Sequence, residues 1–152
     1  MPKPDRNLDH LYPEFRAKVK AIVKDGNAWC KKHRPGHSIL MTEGFRTKER
    51  QQELYAQGRT APGQKVTQKN GTTNPSKHQS ALAADFVLVS PTMSIWGDEE
   101  FWAYLGHLAR KYGLTWGGDW RTFNDKPHVE WPASDKTTYA AAKAWKKTAG
   151  LS

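Results

Sequence analysis

Leu11, Phe15, Val19 and Ile22 recur at spacings of four, four and three residues. That is the period of one helix face. It predicts a helix starting near Pro13, a residue suited to a first helical turn. Gly26 is expected to interrupt it, with a second piece running to about His33. Pro35-Gly36 marks a turn. Ser38 to Thr42 reads as a short strand delivering Gly44-Phe45-Arg46. Thr47 is placed to cap a helix through about Gln57, closed by Gly58. Residues 59–77 are polar and rich in Gly, Thr, Asn, Lys and Pro. They read as a long loop, and loops of that length in compact domains are usually functional or mobile. This one leads straight into His78 and is expected to form part of a substrate groove.

Ala83 to Val89 is an apolar run holding a single charge, Asp85, and reads as a strand. A carboxylate in such a run needs a partner, because an unpaired buried charge is very costly. Asp98 is placed to cap a helix carrying Phe101, Leu105, Leu108 and Tyr112 on one face, ended by Gly113. Leu114 to Trp116 begins a strand or turn. Lys126 to Trp131 reads as a strand carrying His128. Ser134 is placed to cap a last, alanine-rich helix through about Lys147. No internal repeat is visible. The expectation is a small α+β domain, an antiparallel sheet flanked by helices, with its chemistry on the sheet.

A chain of 152 residues is one domain. Residues 1–152 are therefore expected to form a single domain, with little room for a separate binding module. The one cysteine, Cys30, excludes an intramolecular disulfide and sits in a helical apolar pattern, where a buried thiol is expected. The first residues, Met1-Pro2-Lys3-Pro4-Asp5-Arg6, contain no apolar run, so a signal peptide is not expected. No stretch approaches transmembrane length. Lys and Arg number 24 against 15 Asp and Glu, a formal net charge of +9. Such a chain is drawn to polyanions. No nucleic-acid-binding motif accompanies the charge, so nucleic acid is not an expected partner.

The candidate chemistry lies in Ser76-Lys77-His78-Gln79-Ser80-Ala81-Leu82-Ala83-Ala84-Asp85 and in Asp125-Lys126-Pro127-His128. His78, Asp85 and His128 offer two imidazoles and a carboxylate. Three protein ligands leave the fourth position of a tetrahedral zinc open to water, the equipment of metal-assisted hydrolysis. His78 and Asp85 are seven residues apart, roughly 23 Å on a straight strand at about 3.3 Å per residue. Both can reach one ion only if the chain turns between them, and Ser80-Ala81 is where the turn is expected. Two imidazoles and one carboxylate suit Zn2+, and the same set could hold iron(II). Otherwise His78 is a surface histidine and Asp85 an unrelated buried carboxylate.

The segment around His78 resembles the SxHxxGxAxD motif of the zinc peptidases of bacterial cell walls, the D-alanyl-D-alanine carboxypeptidases and dipeptidases and the phage L-alanyl-D-glutamate endopeptidases. Ser76, His78, Ala83 and Asp85 match, while Ala81 stands where the family has glycine. Trp116-Gly117-Gly118-Asp119-Trp120 followed by Asp125-Lys126-Pro127-His128 looks most like the phage endopeptidase (endolysin) branch. Glu43-Gly44-Phe45-Arg46-Thr47 is similar to a third family segment upstream. The resemblance implies Zn2+ on His78, Asp85 and His128, and Asp125 as the catalytic carboxylate, general base toward water and then proton donor to the leaving amine. Arg46 is the candidate for polarising the scissile carbonyl or binding a substrate carboxylate, with Ser76 and Gln51 as further substrate-binding candidates. Each has a plainer reading: a loop turn for Asp125, a salt bridge for Arg46, local capping for Ser76, helix packing for Gln51. Glu130 and Asp119 are open between support, solvent exposure and a competing ligand role.

The implied activity is zinc-dependent cleavage of peptidoglycan stem peptides at the L-alanyl-D-glutamate bond, by a monomer. The family's phage members accumulate in the host cytoplasm and are released late to act on the wall, which agrees with the expected lack of a signal. Anionic envelope polymers are a further candidate partner, and integral membrane association is not expected. Two alternatives stand beside it: a D-alanyl-D-alanine carboxypeptidase of the same family, and a non-catalytic envelope-binding module that keeps the metal for folding. A purely structural site usually fills its fourth position with protein, so the presence of Asp125 weighs against the module.

Overall fold

The computed structural model describes residues 3–151; Met1 and Pro2, the start of the segment in which no signal peptide is expected, and Ser152 lie outside the described residues. Helix α1 spans Pro13–His33, with Pro13 in its first turn and Phe15, Val19, Ile22, Gly26 and Cys30 on its buried face. The expected break at Gly26 does not occur. A Cβ at Gly26 would lie 2.9 Å from Ile39 Cγ2, so the glycine lets the helix sit close on the sheet. Strand β1 is Ser38–Glu43. Helix α2 is Lys48–Ala56, and the Thr47 hydroxyl accepts from Arg50 N. Residues 57–76 carry no helix or strand beyond one isolated bridge.

Strand β2, Ala83–Val89, is the spine of an all-antiparallel sheet. β1 pairs along one edge. The other is shared by β5 (His128–Glu130), against Ala83 to Asp85, and β3 (Ser94–Ile95), against Leu88 and Val89. β4, Thr115–Trp116, pairs with the outer side of β5. The strand expected from Lys126 to Trp131 is shorter at both ends. Helix α3, Glu99–Lys111, is capped by Asp98 as expected. Helix α4, Lys136–Thr148, is capped by Asp135 rather than Ser134: the Asp135 carboxylate accepts from Thr138 N and from the Trp131 indole.

Alternation along β2 sends Ala84, Phe86 and Leu88 to one face, where they join Phe15, Val19, Ile22, Phe101, Leu105 and Leu108 in the core. Asp85 points to the opposite face. The register of β1 slips between Met41 and Glu43, so that Met41 lies opposite Phe86 but Glu43 lies opposite Asp85. This bulge moves Glu43 from the core face to the Asp85 face. Among the described residues no helix is long and apolar enough to cross a membrane.

Candidate active site

Ser76 Oγ accepts from His78 N, and Ser76 N donates to Gln79 Oε1, a reciprocal cap that opens the 3₁₀ turn Lys77–Ser80. The chain reverses at Ala81, whose φ of 60° is left-handed. This is the turn expected between His78 and Asp85, and it lets a loop residue and a strand residue meet. Tyr12 N holds the corner by donating to Ala81 O.

Three side chains converge on one point. One donor atom from each of His78, Asp85 and His128 lies within 4.8 Å of the others. His78 Nε2 is 3.4 Å and His128 Nδ1 is 3.2 Å from Asp85 Oδ1. Tetrahedral zinc with bonds of about 2.0–2.2 Å places its donors roughly 3.3–3.6 Å apart, so these separations suit such an ion. The far ring nitrogens are also engaged. His78 Nδ1 is 2.7 Å from Gly44 O, a pure acceptor, so Nδ1 carries a proton and donates there while Nε2 faces Asp85. His128 Nε2 is 2.7 Å from Glu130 Oε1 and donates to it, turning Nδ1 toward Asp85. Buried imidazoles braced in this way are the usual support of a metal centre.

The electrostatics point the same way. Burial works against the Asp85 charge, but the charge and hydrogen bonds of His78 and His128 outweigh it and hold its carboxyl well below the usual range. Burial would push the His128 imidazole down. Its hydrogen bonds to Asp85 and Glu130 and the charges of Asp85 and Asp125 instead raise it to about 10. Three carboxylates around one imidazole are a surplus of negative charge, which a divalent cation would neutralise. Asp125 Oδ2 lies 3.9 Å from His128 Nδ1, and burial with the nearby Asp85 charge raises its pKa.

Arg46 is partly buried and mostly occupied. It donates to Glu43 Oε1 at 2.7 Å and Gln51 Oε1 at 2.8 Å, and its Nη2 lies 3.8 Å from Asp85 Oδ2. Its Nε is buried without a hydrogen-bond partner. Gln51 does not reach the groove, contrary to the expectation of a substrate contact. It is fully buried, and its amide donates to Thr67 Oγ1 and Lys69 O while accepting from Arg46. It ties the long loop to α2. Ser76 is spent on capping, although it borders the groove. Asp119 lies outside the cluster in an exposed pair with Arg110. Cys30 is buried in the core, and its burial raises its pKa.

A groove of about 1060 Å³ opens over the cluster. The loop 57–76 forms one wall and residues 120–125 the other. The Trp120 ring lies 5.2 Å from the His128 ring. Glu43, Gly44 and Trp120 had no assigned role in the sequence, although all three lie inside the quoted motifs. Only the pairing of distant segments gives them one.

Residues 70–131, the segment that holds all three converging side chains, match the family profile described as D-alanyl-D-alanine carboxypeptidase. The chain is 40% identical over 104 residues to the peptidoglycan L-alanyl-D-glutamate endopeptidase CwlK of Bacillus subtilis (strain 168), covering 62% of this chain and 61% of that one. It is 30% identical over 131 residues to the L-alanyl-D-glutamate peptidase of Listeria phage A118, covering 82% of this chain and 39% of the relative. It therefore spans less than two thirds of either relative. The fold is that of the Serratia marcescens L-Ala D-Glu endopeptidase ChiX, with a TM-score of 0.62, 20% identity and 86% of each chain covered. The vancomycin resistance D,D-dipeptidase VanXYg superposes with a TM-score of 0.57 at 19% identity, over 91% of this chain and 59% of that one.

Proposed function

We propose that this protein is a zinc-dependent peptidase that hydrolyses peptidoglycan stem peptides at the L-alanyl-D-glutamate bond. The convergence of His78, Asp85 and His128 beside the free carboxylate of Asp125 carries the reading. His78 Nε2, Asp85 Oδ1 and His128 Nδ1 would hold the ion. When bound, zinc supplies Lewis acidity and makes water a stronger acid. Asp125 is the proton carrier: its raised pKa suits a group that accepts a proton from the attacking water and returns it to the leaving amine. Gly44 O and Glu130 fix the two imidazoles. Arg46, bound to Glu43 and bordering the groove, offers its charge to the polarised carbonyl. The bond specificity is taken from the Bacillus and phage relatives.

The test is digestion of purified peptidoglycan with identification of the new ends. The expected product is a new N-terminal D-glutamate, abolished by chelator and restored by zinc. Release of D-alanine would instead favour the carboxypeptidase reading, which the family description supports. Intact peptidoglycan after prolonged incubation with zinc would remove the peptidase assignment.

A further inference from the structure

The charges of the groove are segregated. Its acids are all committed to the centre: Glu43 pairs with Arg46 and Arg50, Asp85 with both imidazoles, Glu130 with His128, and Asp125 faces His128. Its outer walls are cationic. Arg59, Lys65 and Lys69 border it from the loop side and Arg121 from the opposite side. None of these four forms an ion pair with a carboxylate among the described residues. Arg59 donates to Tyr55 O and lies over the Tyr55 ring, which holds its guanidinium in place. Lys69 reaches only the neutral Asn74 amide. The same two walls expose Val66 and Phe123, 57% and 65% accessible, so each presents an apolar surface beside a cation.

Unpaired cations on both sides of a reaction centre fit a substrate with anionic groups flanking the scissile bond. In a stem peptide the D-glutamate is linked onward through its side-chain carboxyl. Its α-carboxyl therefore remains beside the L-alanyl bond, either free or capped as an amide. A diamino acid further along carries another such carboxyl. We propose that Arg59, Lys65, Lys69 and Arg121 select stem peptides whose carboxylates are free over those in which they are amidated. The inference rests on the peptidase reading above and adds the substrate form the groove prefers. An arginine fork or an ammonium gains a charge-assisted hydrogen bond from carboxylate that a neutral amide does not match. Because the contacts are exposed, each contributes modestly and is weakened by salt.

The experiment compares two synthetic stem peptides, identical except that one carries free carboxylates and the other carboxamides, cleaved by the zinc-loaded enzyme. The expected kcat/KM is about tenfold higher for the free form, expressed mainly in KM, and the ratio shrinks toward one as salt rises. Lys65→Ala combined with Arg121→Ala should lower the ratio severalfold, through loss of rate on the free-carboxylate peptide. Both side chains are exposed, so the variants keep the fold, which a circular dichroism spectrum checks. Equal rates on the two peptides, or a ratio unaffected by salt and by the double variant, would overturn the selectivity while leaving the peptidase intact. Cleavage of neither peptide would overturn the underlying activity instead.

Discussion

Glu130 holds the far nitrogen of His128, and its removal separates metal affinity from folding. The Nε2 to Oε1 distance is 2.7 Å and both side chains are buried. A buried hydrogen bond to a charged group contributes about 1.5–3 kcal/mol, and loss of such a partner typically weakens metal binding 10- to 100-fold. Glu130→Ala should therefore raise the zinc dissociation constant by roughly 30-fold, about 2 kcal/mol at 1.4 kcal/mol per tenfold. Glu130→Gln keeps an acceptor for Nε2–H and loses only the charge, so its loss should stay below about tenfold. The assay is competition for zinc against a chelating dye, with thermal unfolding in excess chelator as the control for fold. Alanine and wild type binding zinc equally tightly would refute the bracing role. Equal losses in both variants would assign the effect to charge rather than to the hydrogen bond.

Asp125→Ala should retain zinc but lower turnover about 10²- to 10⁴-fold, the usual share of acid–base catalysis, as measured by peptide cleavage alongside metal analysis. Gly117→Ala would drive a Cβ into Asp125 O and place it 3.1 Å from His128 Cβ; activity should fall by more than tenfold with helix content preserved by circular dichroism. Asp98 caps α3 and binds Arg34 at 2.7 Å. Asp98→Ala should cost about 2 kcal/mol, roughly 4–8 °C in Tm. The Arg34 hydrogen bond holds the Asp98 carboxyl below its ordinary value. Its stabilisation is thus complete above the unfolded carboxylate pKa near 3.9 and is lost as pH falls through the lower folded value. The stability gap between wild type and variant should narrow in urea titrations taken into that acid range. Ala81→Gly relieves a left-handed alanine, about 1 kcal/mol, but removes a buried methyl of about 0.8 kcal/mol. Urea unfolding should show a change within about 1 kcal/mol.

What could be read from the chain was local. The α1 and α3 faces, the β2 run, the caps at Thr47 and Asp98 and the turn before Ala81 all follow from neighbours a few residues apart. The motif spacing picked out the three side chains that converge, because each sits at a fixed offset from a turn or a strand. The remainder depends on distant partners. Gly26 reads as a helix breaker until Ile39 is packed on it. Ser134 and Asp135 are equally good caps in isolation, and the Trp131 indole favours the aspartate. Gln51 reads as a substrate contact until Thr67 and Lys69 consume its amide. Glu43 changes face only because β1 slips against β2, and no periodicity in the strand announces that slip.

Glu43, Asp85 and His128 stand side by side in one cross-strand row, at adjacent registers of β1, β2 and β5. A chain that paired either edge one residue out of step would turn one of them to the opposite face. Correct strand pairing and assembly of the reactive centre are therefore a single event. A misaligned copy would be inert as well as unstable, and ion uptake would report, molecule by molecule, how faithfully the sheet had zipped.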